Sequence, residues 1–470
     1  MNMNFASFSG KGITRFSFIG MWMLFFIFFL FPGAASGRMY IDVNAPSIPK
    51  FSIAIPDFKN LGVDKKHSEL AKKMPGVISN DLDLSGYFNP MDKQAFLDEK
   101  GGGLTSEKIN FKDWSVIGAE LLLTGGYTCI GSRLEVEVRL FDVFWGRQII
   151  GQRALGDISR YRHLMDVFWG RQIIGQRALG DISRYRHLMH RISNEIILKL
   201  TGHNGISLTK LAFVGDVTGH REIYVCDYDG YNVRPITKDK SIAILPRWSP
   251  DGKKIVYNSY KHGGPMLYLK NIASGAVRRI SGRSGLNIGA SWAPDGREIA
   301  LTMSHKGNPD IFTIDLQGKI LKQLVKHWGI DVSPAFSPDG DKIAFVSNRS
   351  GSPQIYILGI GTGSVERLTY EGRYNTSPSW SSRDQIAFAS MKGGRFDICT
   401  IDPVGGGLRR LTENEGNNED PCWSPDGRYM MFSSNRDGRY QIYIMNANGR
   451  NQRRIIPGKG NQTAPSWAPE

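Results

Sequence analysis

Catalytic signatures are what this sequence most plainly lacks. It has no Gly-x-Ser-x-Gly elbow, no His-Glu-x-x-His, no Gly-x-x-x-x-Gly-Lys and no Cys-x-x-Cys. Those absences exclude the usual forms of serine-hydrolase, zinc-protease, phosphate-loop and dithiol chemistry. Cysteine is scarce, 4 in 470 residues, so a disulfide framework does not carry the fold. Acids are outnumbered, 44 against 59 Lys and Arg, for a net charge of +15. The basic residues are dispersed, as in Arg278-Arg279, Arg409-Arg410 and Arg453-Arg454. Nucleic-acid binding calls for one concentrated basic face with interleaved aromatics; the dispersion points instead to loose attraction to anionic lipid or cell-wall polymers. Long apolar runs are missing too, except Phe16–Phe31, which is shorter than the ~20 residues of a membrane span. Lys11 and Arg15 precede that run and Pro32-Gly-Ala-Ala-Ser-Gly37 follows it. Residues 1–37 therefore read as an export signal peptide, leaving a mature chain that is peripheral to membranes at most.

What is present is a repeat. An aromatic residue followed by a small residue, Pro and usually Asp-Gly recurs at Trp248, Trp292, Phe336, Trp380, Trp423 and Trp467, spaced 44, 44, 44, 43 and 44 residues apart. A fixed period of this size marks stacked supersecondary units. In one unit, Ala290-Ser-Trp292 enters the turn Ala293-Pro-Asp-Gly296, Glu298–Thr302 and Asp310–Asp315 alternate like strands, and Ile320–Leu324 closes the unit. Four strands joined by hairpins make a propeller blade. A third-strand signature also occurs six times, at Ile223-Tyr224, Leu267-Tyr268, Ile311-Phe312, Ile355-Tyr356, Asp397-Ile398 and Ile442-Tyr443, but one step out of phase with the aromatic phrases. The fold class expected is thus an all-β six-bladed β-propeller over 205–470, its first blade completed by the C-terminal strand, preceded by a smaller α/β domain. The repeated Trp reads as inter-blade packing. Cys226 and Cys399 are read at the same third-strand position of blades one and five, which do not touch.

The α/β domain spans 38–204. Phe51–Ile55 and Arg133–Leu140 read as strands, Ser68–Asp81 and His187–Leu200 as helices, and Glu120–Thr124 as an apolar run followed by Gly-Gly. Inside it lies a 24-residue tandem duplication: Asp142–Met165 recurs unaltered as Asp166–Met189. The pairing of His163 with His187 that it creates is not read as a metal site, and neither metal nor cofactor is expected.

Candidate binding residues lie in the loops leading into the inner strands. Five residues before each aromatic, these loops place Asn287, Asp331, Asn375, Asn418 and Gln462. With Ser347-Asn-Arg349 and Ser434-Asn-Arg436 they fall on one face of the disc. Such a ring suits capture of a peptide or protein loop; equally, each side chain could simply satisfy turn backbone. The runner-up function is a secreted propeller hydrolase or carbohydrate-binding protein, which requires acids or His converging in the channel.

An export signal, an α/β domain and six Trp-Ser-Pro-Asp-Gly blades, joined through Ile196-Ile-Leu-Lys-Leu-Thr-Gly202 and Gly205-Ile-Ser-Leu-Thr-Lys-Leu-Ala-Phe-Val214, together resemble the TolB family, the periplasmic propellers of the Tol-Pal system. The resemblance implies a monomeric, non-enzymatic scaffold in the periplasm of a Gram-negative bacterium, supporting outer-membrane integrity and constriction at division. It implies binding of the peptidoglycan-associated lipoprotein Pal at the channel mouth, here Leu286, Asn287, Gly289, Asp331 and Val332, with Asn375 and Asn418 in the same column. Where members of the family carry His, this chain has Leu286. It also implies binding of TolA by the mature N-terminus, Arg38, Met39, Tyr40, Ile41, Asp42 and Val43, and contact with other outer-membrane lipoproteins or porins.

Overall fold

The computed structural model describes residues 50–63, 66–97, 104–155, 182–305 and 307–469. The expected signal peptide and Arg38–Val43 lie outside the described residues. The front domain is a mixed sheet of β1 (Phe51–Ala54), β2 (Lys59–Asn60), β3 (Phe88–Pro90), β4 (Leu121–Ile130), β5 (Arg133–Asp142) and β6 (Arg147–Leu155), in the order β3-β1-β4-β5-β6 with β2 beside β4. Its helices are α1 (Leu70–Ser85), α2 (Phe111–Val116) and α3 (Tyr185–Thr201). The apolar run opening β4 is explained by burial on both faces. Leu121 and Leu123 pack against Met74 and Ile78 of α1 and Ile192 and Ile196 of α3, while Leu122 turns to Trp114 and Phe141. The Gly-Gly pair follows because a Cβ on Gly125 would lie 2.5 Å from the Phe58 ring. α1 tolerates Pro75 because the carbonyl it leaves unpaired, that of Ala71, accepts the Phe58 N–H at 2.9 Å.

The duplication divides its work. Residues 142–155 of the first copy form the β5–β6 hairpin and the start of the return strand, and residues 182–189 of the second copy open α3. Within the repeat these stretches are complementary, so together they amount to one copy less the Gly-Asp link. Leu155 pairs with Glu135, and Ile182 N–H donates to Ser132 O at 2.9 Å, three residues along the same hairpin. Leu155 and Ile182 are therefore within about 10 Å, a gap that three residue steps can span.

Six four-stranded blades follow. Five run inner, second, third and outer strand in chain order; the first takes its inner strand, Gln462–Trp467, from the end of the chain and pairs it with Lys210–Gly215. The expected six blades and their closure are both found. In the unit read above, the strands are Asn287–Trp292, Glu298–Met303, Asp310–Asp315 and Ile320–Gln323, so the inner strand starts earlier than its aromatic signal. The aromatic phrase does pack between blades: the indole N–H groups of Trp292 and Trp423 donate to Arg247 O (3.2 Å) and Ser379 O (3.1 Å) of the preceding inner strands. Blade five departs. Its first hairpin is one residue shorter, Asp384 takes the left-handed position (φ 58°) that Gly252, Gly296, Gly340 and Gly427 hold elsewhere, and half-buried Trp380 donates to Asp384 of its own turn. One assignment is corrected: Ile398, not Asp397, aligns with Ile223, so Cys399 stands in the aromatic column beside Phe388, where other blades stack Phe213 on Tyr224 or Phe432 on Tyr443. Cys226 lies two positions further along.

The front domain sits on the face of the disc formed by the Pro-Asp-Gly turns and the third-to-outer hairpins. Buried Arg428 donates to the Tyr87 hydroxyl (3.1 Å) and Asn204 O, and Tyr429 Oη donates to Ser85 O at 2.8 Å. Deeper in, Asp81 on α1 accepts from Tyr228 Oη (2.6 Å) and pairs with His190 Nδ1 on α3 (2.8 Å), while Arg186 pairs with Asp229. Asp81, His190 and Asp229 have metal-ligand spacing, but Arg186 already supplies the cation that Asp229 faces. Burial, then the Asp81 charge, holds the Tyr228 hydroxyl well above the usual phenol range, so it stays a donor.

Two outcomes follow from this architecture. A chain lacking Asp166–Met189 keeps the sheet and α3, and its thermal midpoint stays within a few degrees of the parent by calorimetry. Tyr228→Phe leaves Asp81 short of a charged-group hydrogen bond and costs about 1.5–3 kcal/mol in urea unfolding, with both domains still folded by circular dichroism.

Candidate functional site

The opposite face of the disc carries the lead-in loops and the second-to-third hairpins. The polar column proposed from sequence is there, but buried: Asn287, Asp331, Asn375 and Asn418 are 0 % exposed. Their side chains shape the loops. Asn287 Nδ2 donates to Arg283 O (2.7 Å) and Gly285 O (3.2 Å), and its Oδ1 accepts from Ser281 Oγ at 2.6 Å. Asn375 Nδ2 donates to Gln354 Oε1 (2.8 Å) and Glu371 O (2.7 Å), and Asn418 Nδ2 to Asp397 Oδ1 at 3.2 Å. The Ser-Asn-Arg motifs serve the same end. Arg349 donates to Asp331 Oδ1 at 2.9 Å and Arg436 to Asn418 Oδ1 at 3.0 Å. Asn348 and Asn435 accept the backbone N–H groups of Ile330 and Asn417, each at 2.7 Å. Both guanidinium groups also lie over aromatic pairs, Arg349 over Tyr356 at 5.0 Å and Arg436 over Tyr443 at 4.6 Å.

Two residues past the polar column, every inner strand breaks register at a left-handed residue: Leu245, Gly289, Ser333, Ser377, Asp420 and Ala464, with φ from 49° to 68°. Five of the six carry a Cβ, which costs on the order of 1–2 kcal/mol each. These bulges bend the inner strands at the channel wall, and some tie neighbouring blades together. Gly289 N–H donates to Asn258 Oδ1 and Ser333 N–H to Thr302 Oγ1, both at 3.3 Å; Ala464 N–H donates to Ser433 Oγ at 3.1 Å. Gly289 alone bares the wall, since a Cβ there would meet only ordinary contacts with Ser333. Of the other residues named from sequence, Leu286 and Val332 retain solvent-exposed surface.

Apart from Leu286, the column missed in the sequence is the one just before the buried polar residue. It reads Ile242, Leu286, Ile330 and Tyr374 in blades two to five, then Asn417 and Asn461 in blades six and one. Ile242, Ile330 and Tyr374 are 40–47 % exposed, and Trp328 and Tyr370 in the same loops reach 73 %. Part of the rim is thus an apolar crescent and the rest is amide-lined. Large exposed apolar groups held by rigid backbone mark a protein-binding surface. Aligning the six loops by their aromatic phrases would have exposed the crescent.

Two family models match this chain, the TolB amino-terminal domain over residues 39–149 and the TolB beta propeller domain over residues 197–470. Similar relatives include the Tol-Pal system proteins TolB of Desulfosudis oleivorans, 39 % identical over 234 residues, and of Syntrophus aciditrophicus, 35 % identical over 249. These alignments cover 50 % and 52 % of this chain and 48 % and 50 % of the relatives, so the chain spans about half the length of the relatives it matches. The crystal structure of TolB from Acinetobacter baumannii superposes with a TM-score of 0.74 at 26 % identity, covering 90 % of this chain and 97 % of that one. With both domains matched and the propeller model covering more than half its length, the chain belongs to the TolB family.

Proposed function

We propose that this chain is a periplasmic, non-enzymatic adaptor of a Tol-Pal envelope system, capturing the lipoprotein Pal on the lead-in-loop face and TolA through Arg38–Val43. The observation that carries the reading is the apolar crescent around Leu286 and Ile330, on the face away from the front domain. Its backbone is fixed from beneath by buried Asn287, Asp331, Asn375 and Asn418, so a partner meets a preorganised rim. Leu286, Gly289 and Val332 are the residues of the sequence reading suited to direct contact; the buried four position them. Export by residues 1–37, a monomeric state, contact with other outer-membrane lipoproteins or porins, and a role in envelope integrity and division belong to the same reading. The hydrolase or sugar-binding alternative is disfavoured by how the channel acids are used. Glu419 accepts from Tyr440 Oη at 2.5 Å, and Asp420 accepts from Ala464 N–H at 3.2 Å across the blade-closing seam.

A pull-down of the chain from Arg38 onward with the same organism's Pal tests the proposal. The parent captures Pal, and Leu286→Asp with Ile330→Asp weakens capture by roughly tenfold or more, since each buried aliphatic side chain contributes about 1.5–3 kcal/mol. Val404→Asp, 90 % exposed on the opposite face, leaves capture unchanged. Deleting Arg38–Val43 abolishes TolA binding alone. A folded parent that ignores Pal, or a crescent variant that binds like the parent, overturns the assignment.

A further inference from the structure

The tip of the β5–β6 hairpin displays two large aromatic residues to solvent, Phe144 at 79 % and Trp145 at 68 % exposure. They are not a loose end. Asp142, 6 % exposed, accepts the Trp145 N–H on Oδ1 at 3.0 Å; Val143 is buried; and Gly146 closes the turn at φ 60°. The two rings stand edge to face, their centroids 4.9 Å apart and their planes at 89°. Beneath them Phe111 packs on Phe141 at 5.6 Å, and a Cβ on Gly146 would lie 3.3 Å from the Phe111 ring. The turn is therefore built to hold Phe144 and Trp145 outward, where they bury nothing of their own fold.

We infer that this hairpin tip is a membrane-surface contact, inserting Phe144 and Trp145 at the headgroup level of an anionic bilayer. Three features select a lipid surface over a protein pocket or a second copy. The feature is a narrow convex tip rather than a groove or a broad patch, and protein hot spots sit within a wider sealed interface. Trp and neighbouring aromatics favour the membrane–water interface, where an amphipathic ring meets both phases. The charge is also complementary. Exposed Lys112 adjoins Phe111, whose ring packs beneath the turn, and the chain as a whole carries +15. Aromatic insertion and basic attraction are the two signals that together give usable affinity where either alone is marginal. The contact is on the front domain, separate from the propeller face assigned to Pal, so it does not depend on that assignment.

The test is co-sedimentation of the full chain from Arg38 with vesicles of phosphatidylcholine alone or mixed equally with phosphatidylglycerol. The parent binds the anionic vesicles and not the neutral ones, and added salt weakens the binding. Phe144→Ala with Trp145→Ala binds at least roughly fivefold more weakly, without a change in thermal midpoint because both side chains are exposed. The sequence repeats the doublet as Phe168-Trp169, so the same pair of substitutions is also made in the chain lacking Asp166–Met189, which carries the doublet once, and weakens binding there as much. Trp145→Phe keeps most of the binding but removes the tryptophan quenching caused by brominated lipid. A parent that fails to bind anionic vesicles, or a Phe144→Ala, Trp145→Ala variant that binds like the parent, overturns the inference, as does sedimentation showing that the tip joins two copies of the chain instead.

Discussion

The pairing of Gln462–Trp467 with Lys210–Gly215 is the contact on which the rest of the propeller depends. It removes the free edge a six-sheet stack would otherwise present, and it aligns six inner strands around one channel. Once they are aligned, neighbouring inner strands are tied together, as where Trp467 N–H donates to Cys422 Sγ at 3.3 Å, while its indole N–H donates to Thr209 Oγ1 at 2.8 Å within its own blade. The six left-handed bulges also become a ring. Strain of this kind persists only where the surroundings over-determine it, and the inter-blade bonds of Gly289, Ser333 and Ala464 are part of that determination.

Closure also separates two faces with different uses. The Pro-Asp-Gly turns are short and rigid; Asp251, Asp339 and Asp426 each accept from the preceding Ser hydroxyl and the backbone N–H two residues on. That face receives the front domain through Arg428, Tyr429 and the buried Asp81–His190–Tyr228 group. The lead-in loops on the other face are longer; they keep a constant spacing but vary in composition, and they present the crescent. A rigid scaffold with variable loops on one side is the usual arrangement for recognition.

The blades, their number and their closure were legible in the sequence because strand periodicity and turn chemistry repeat every 44 residues, and six copies average out local exceptions. Cys399 was misplaced for the converse reason. Blade five drops a turn residue and replaces the third-strand aromatic, so both phase markers fail together. The polar column was found but could not be interpreted, because an Asn that binds a partner and an Asn that satisfies a turn look alike in sequence. Only burial separates them. The crescent does keep the blade period, at Ile242, Leu286, Ile330 and Tyr374, but an apolar residue in that column reads as core until its exposure is known. The Phe144-Trp145 tip follows no period, so nothing in hydrophobic patterning distinguishes it from core. The nearness of Leu155 and Ile182 likewise emerged only from the register of β6 on β5 and the Ile182–Ser132 bond.

The account's central claim is that recognition belongs to the lead-in-loop face. Amide hydrogen exchange of the chain with and without Pal tests it most directly, because it reads every loop at once. The account predicts added protection in residues 281–290, 325–334 and 369–376, with the Pro-Asp-Gly turns unchanged. Protection concentrated in those turns, or around Tyr228 and Arg428 at the domain junction, would contradict it.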